Sequence, residues 1–100
     1  KGVPDFDLAK QAYLQAFRLG KLEALTRLAR MAKRAPQTSQ NDLIELCSWL
    51  KAYLEIGPPN AYMRDRASAE LNACMQELTS DERYEVERRV ESLKSDWPGS

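Results

Sequence analysis

The chain contains no histidine. The commonest general base and the commonest transition-metal ligand are therefore both missing. Glycine is scarce as well: four residues, none in a GxGxxG or GxxxxGK arrangement, leave no loop to cradle a phosphate. The two cysteines, Cys47 and Cys74, cannot build a structural zinc site without two further soft ligands. Each falls on the apolar side of a helical pattern, where a buried free thiol without chemistry is expected. Free thiols in turn suit a reducing, cytoplasmic setting. Apolar runs stop at two or three residues, which excludes a transmembrane helix. Lys1-Gly2-Val3-Pro4 carries no signal-peptide pattern. Alternating β patterns are absent too. These absences together predict a protein without enzyme activity, cofactor or metal.

What remains is helical. With 43% hydrophobic and 30% charged residues over 100 positions, the composition is that of one globular domain, residues 1–100. The periodicity predicts an all-α fold: a compact bundle of about five short helices arranged as antiparallel αα-hairpins. A first helix starts near Asp5, an acceptable N-cap after Pro4, and runs to Leu19, with Gly20 as its breaker. A leucine and alanine stripe from Leu22 to Ala32 marks the second, which Pro36 stops. Residues 37–41 read as a polar linker. The third helix spans Leu43 to Ile56 and ends at Gly57-Pro58-Pro59-Asn60, the sharpest turn signal in the chain. Met63, Ala67, Leu71, Cys74 and Leu78 define the fourth. Thr79 with Glu82 three residues on is a capping box that opens the fifth, whose stripe is Val86, Val90, Leu93 and Trp97. Phe17, Leu25, Leu28, Leu46, Leu50, Leu71, Leu78 and Val90 are the expected core.

The stretch from Ala12 to Pro36, AYLQAFRLGKLEALTRLARMAKRAP, resembles one tetratricopeptide unit, an αα-hairpin with Gly20 at its turn. A second helix-glycine-helix stretch follows. Its glycine, Gly57, comes later than the repeat period of about 34 residues allows, and stacked arrays need about three units. A repeat architecture is therefore not expected, and the resemblance implies only a helical hairpin.

The third segment carries more apolar residues than one core face requires. Leu43, Leu46, Cys47, Leu50 and Leu54 fill an arc of ordinary width. Trp49, Tyr53 and Ile56 make a second stripe beside it, and Ile44 lies elsewhere again. Such a helix is either central in its domain or shared with another chain. Because Trp and Tyr are favoured anchors at interfaces, the expectation is a partner-binding face of Trp49, Tyr53, Ile56 and Ile44, most simply in a homodimer.

Charge sums to zero but is segregated. Residues 1–37 hold eight Lys/Arg against three acids, a net of +5, and residues 38–100 carry the compensating −5. Arg27, Arg30 and Arg34 lie opposite the leucine stripe of the second helix, with Lys33 nearby. Clustered Lys/Arg is what a nucleic-acid backbone needs, so this face is the candidate nucleic-acid surface. The helix offers no Asn or Gln to read adenine, and a pI near 6.5 is low for such modules. In the fifth helix Asp81, Glu82, Glu85, Glu87 and Glu91 alternate with Arg83, Arg88 and Arg89, as on a solvated, salt-bridged face. The functional expectation is a small cytoplasmic interaction protein that binds and regulates or sequesters another protein. Adaptors, antiactivators and secretion chaperones share this general look. A nucleic-acid-binding regulator, or a structural subunit of a larger complex, is the alternative.

Overall fold

A computed structural model describes residues 6–34, 39–58 and 63–99. It contains five α-helices: α1 (Phe6–Arg18), α2 (Glu23–Arg34), α3 (Gln40–Ile56), α4 (Arg64–Gln76) and α5 (Ser80–Asp96). There is no strand among the described residues, and the all-α bundle is as the periodicity predicts. No described helix is long and apolar enough to cross a membrane. Asp5, Pro36, Pro59 and Asn60, to which the sequence assigns caps and stops, lie outside the described residues, as do positions 37 and 38 of the expected linker.

Local chemistry sets the helix ends. After α1 the chain turns at Gly20, whose φ of 99° lies in the left-handed region. The Gly20 N–H reaches the Phe17 carbonyl and the Lys21 N–H the Ala16 carbonyl, both at 3.0 Å. This paired closure is a Schellman ending, and it favours a residue without Cβ. Helix α3 starts earlier than its apolar pattern suggests, because Ser39 is its N-cap and accepts from the Asp42 N–H at 3.3 Å. Positions 39–41 of the expected linker therefore form a cap and a first helical turn. At α5 the capping box is present in full: Thr79 Oγ1 accepts from the Glu82 N–H, and the Glu82 carboxylate accepts from the Thr79 N–H at 2.9 Å.

Helices α3 and α4 have no basic residue in their last turns. An arginine from the following helix supplies the missing donor. Arg64 Nη1 donates to the Leu54 carbonyl at 2.8 Å, and Arg83 Nε donates to the Met75 carbonyl at 3.0 Å. Each cation satisfies a C-terminal carbonyl and opposes the negative end of the helix dipole.

Helix α3 is the centre of the bundle, packed against α2, α4 and α5, while α1 packs on α2. That position answers the excess of apolar residues on α3. Trp49 is 4% exposed, Tyr53 6% and Ile44 8%, so the stripe expected to face a partner is covered by this chain's own helices. Ile56 is half-buried at the helix end. The core expectation holds for Phe17, Leu25, Leu28, Leu46, Leu50, Leu78 and Val90, whereas Leu71 is only partly buried. Ser48, a polar position of α3, is buried too, and its hydroxyl donates to the Ile44 carbonyl one turn back at 2.7 Å. Trp97 closes one end of the bundle with its ring centroid 5.1 Å from that of Phe17.

The free-thiol expectation is overturned. Cys47 and Cys74 form a disulfide that ties α3 to α4, with Cα atoms 5.8 Å apart, within the usual range for such a bridge. Both residues lie on apolar faces, as expected, but those faces meet each other. The inference from free thiols to a reducing compartment therefore loses its basis.

Candidate functional site

Once α3 has spent its second stripe on the core, its first stripe borders open space. Leu43, Leu46 and Leu50 line a groove of about 930 Å3 between α3 and α4, with Ala73 and Cys74 on the α4 side. Leu43 is half-buried and Ala73 exposed, while Leu46 and Leu50 are buried. Leu46 and Leu50 thus remain core side chains, as the helical wheel suggests, and also border the groove, while the second stripe is buried beside them. On the α4 side few large side chains fill the space beside this stripe. Among the residues of α4 only Ala67 and Cys74 are buried, with Leu71 and Met75 partly so. The apolar α4 residues that border the groove, Ala73 and Cys74, are small, which leaves a trough between the two helices.

A second cavity, of about 440 Å3, adjoins the first and shares Lys33, Leu50 and Glu70 with it. It lies between α2 and α4 and is lined by Arg30, Lys33, Arg34 and Arg66. Glu70 is the carboxylate among these cations, and it is already neutralised: Lys33 Nζ sits 3.0 Å away and Arg66 Nε 3.3 Å. Arg27, Arg30 and Arg34 are exposed and form no ion pair among the described residues. Four cations and one carboxylate leave this end of the groove at +3. The other end carries Glu77. Of the expected basic face, Arg30, Lys33 and Arg34 thus border the cavity, and Arg27 stands outside it. Arg66, from a helix with no evident basic pattern, joins them only through the fold.

The expected partner face divides differently. Trp49 touches a small cavity of about 190 Å3 bordered by Leu14 of α1 and by Arg89 and Leu93 of α5. It is a nearly covered core side chain and not an exposed anchor. Among the described residues the exposed large apolar ones are Leu8 of α1, Leu19 in the turn that ends α1 and Tyr84 of α5, and scattered exposed residues of this kind are ordinary.

The opposite side of α3 carries an ionic chain. Lys51 binds Glu55 at 3.1 Å and Glu87 at 3.3 Å, and Lys94 binds Glu55 at 3.1 Å. Partial burial alone would lower the Lys51 pKa, but the hydrogen bonds to Glu55 and Glu87 outweigh it and raise the value above 10.5. Desolvation pushes Glu55 up, and its two lysine partners more than reverse this, holding its carboxyl below the usual range. Lys94 is raised by its hydrogen bond to Glu55. These groups fasten α5 to α3. The expected Glu85–Arg89 pair is present at 3.0 Å, and Arg89 together with Arg88 holds the Glu85 carboxyl below its ordinary value.

Among the described residues no group of three or more His, Cys, Asp or Glu side chains is placed to hold a metal ion. What the described residues form is a trough with Leu43, Leu46, Leu50 and Ala73 along it and a basic end. The chain matches no protein-family model, and comparison with curated proteins and with solved structures gives no match either.

Proposed function

We propose that this chain is a non-enzymatic protein–protein interaction module that binds a partner protein in the groove between α2, α3 and α4, and so regulates or sequesters it. The observation that carries the reading is the open groove beside Leu43, Leu46 and Leu50. The central helix of the bundle borders a trough of about 930 Å3 along this stripe, the largest apolar side chains in its lining. Grooves of this kind suit an extended or helical segment laid along them. Homodimerisation through Trp49 and Tyr53 loses its support, because those side chains are occupied within the chain. A second copy would have to use the groove or another surface.

Filling the trough tests the reading. Ala73 is exposed on its α4 wall, so Ala73→Trp occupies the groove without entering the core. A partner captured by the wild-type protein should be lost by Ala73→Trp and retained by Tyr84→Ala, which alters a remote exposed side chain. Capture that survives Ala73→Trp unchanged refutes the groove as the docking site.

The second reading, a nucleic-acid-binding regulator, is favoured by one observation: Arg27, Arg30 and Arg34 are exposed and have no acidic partners among the described residues. Phosphate binding collapses with added salt, whereas apolar groove contacts barely weaken. Binding to a mixed-sequence duplex across a salt titration, in wild type and Arg30→Ala, separates the two readings.

A further inference from the structure

The two cavities form one continuous trough, because Lys33, Leu50 and Glu70 border both. Its chemistry changes along its length. Leu43, Leu46 and Ala73 make one part apolar, and Arg30, Lys33, Arg34 and Arg66 make the other cationic. From this juxtaposition we infer that the groove takes an acidic amphipathic segment of another protein. Its carboxylates lie over the Arg30, Arg34 and Arg66 end, and its apolar side chains lie against Leu43, Leu46 and Leu50. The inference rests on the protein-binding reading above and adds to it the chemistry of the partner.

Three observations select this occupant. Glu70 is the carboxylate among the cations, and Lys33 and Arg66 both already bind it, so it leaves Arg30 and Arg34 without a counter-charge. Guanidinium groups are suited to carboxylates because they offer paired donors in a planar fork. An anion supplied by the partner completes what the described residues lack. Next, the apolar part disfavours a nucleic-acid backbone. A sugar-phosphate chain following the trough would pass from the arginines to Leu43 and then to Glu77, meeting no further cation beyond Lys33. Finally, a second copy of this chain supplies no described segment of the right kind. Helix α5 is its carboxylate-rich helix, but the apolar residues Val86 and Val90 of α5 are fully buried in its own core.

The occupant also acquires a direction. Carboxylates at one end of an apolar face match Arg30 and Arg34, and a basic residue at the other end meets Glu77. Reversed, the same segment places like charges together at both ends, which disfavours that orientation.

Selection from a displayed library of random peptides against the oxidised protein tests the inference. Enriched peptides are expected to be net acidic, with carboxylates grouped at one end of an apolar stripe. A synthetic copy of such a peptide should lose about tenfold or more in affinity on the double substitution Arg30→Glu, Arg34→Glu. Both arginines are exposed, so the fold tolerates the change; the lost binding should return when the peptide's carboxylates are exchanged for lysines. Enrichment of basic or uncharged peptides, binding of the lysine-exchanged peptide to the wild-type protein as tight as that of the acidic one, or tighter binding of single-stranded RNA than of any acidic peptide overturns the inference. Peptides that bind the groove irrespective of charge, and are displaced by Ala73→Trp, overturn the acidic partner while leaving the protein-binding reading in place. Peptides whose binding ignores Ala73→Trp overturn both.

Discussion

Cys47 on α3 and Cys74 on α4 are joined by a disulfide across a separation of 27 positions, beside the groove on which the functional reading rests. Helix α4 buries only Ala67 and Cys74, and the bond adds a covalent fastening to its packing on the bundle. Closing a loop of this length removes unfolded-state entropy worth about 3–4 kcal/mol in the chain-entropy model. Reduction, or the pair Cys47→Ser and Cys74→Ser, should therefore lower the denaturation midpoint substantially. Chemical denaturation with and without a reductant measures this. Equal stability of the two forms, or thiols that react rapidly in the unreduced native protein, would contradict the bond.

Trp49 supplies a second prediction, since it separates a central helix from an interface helix. Buried among α1, α3 and α5, it should cost about 3–5 kcal/mol when truncated to alanine. A thermal melt beside light scattering on Trp49→Ala should show lost fold stability and an unchanged molecular mass. A variant that melts like the wild type but associates more weakly would reinstate Trp49 as an interface anchor.

The ionic chain of Lys51, Glu55 and Lys94 gives stability a defined pH dependence. Glu55 has a lowered folded-state pKa, so its contribution is present above the unfolded value and is lost as pH falls through the folded one, below about 4.5. Glu82, lowered first by the Thr79 backbone N–H and then by Gln40, acts in the same sense. Lys51 and Lys94 are raised, so their contribution is complete below the unfolded value of 10.5 and disappears as pH rises through the folded one. Unfolding across pH should thus show a plateau near neutrality with losses at both extremes. Glu55→Gln should flatten the acid limb. Because the pairs are largely solvated, the change should be small. An acid limb unchanged by Glu55→Gln would refute the role given to the chain.

Features written in neighbouring residues were legible in the sequence. Gly20 and the Thr79–Glu82 box depend on groups within about one turn of each other, and they end α1 and start α5 where the sequence places those boundaries. The start of α3 was not legible, because Ser39 caps a first turn, Gln40 to Asp42, that has no apolar residue to reveal it. Nor was the pairing of Cys47 with Cys74: their spacing says nothing about which helices meet. The apolar surplus of α3 was visible, but a helical wheel counts stripes without saying which of them the neighbouring helices cover. That depended on α4, whose small apolar residues at the groove, Ala73 and Cys74, left Leu43 beside an open trough while α5 and α1 closed over Trp49. Arg66 joined the basic cluster only when α4 was laid beside α2.

The central claim is that a partner protein lies in the groove between α2, α3 and α4. A photoreactive amino acid placed at position 73, inside the trough, and separately at position 84, on the exposed face of α5, reads contact directly. The account predicts a single partner crosslinked from position 73 and not from position 84. Introducing Arg30→Glu with Arg34→Glu should deplete that crosslink. A partner crosslinked from position 84 alone, with none from position 73, would contradict it.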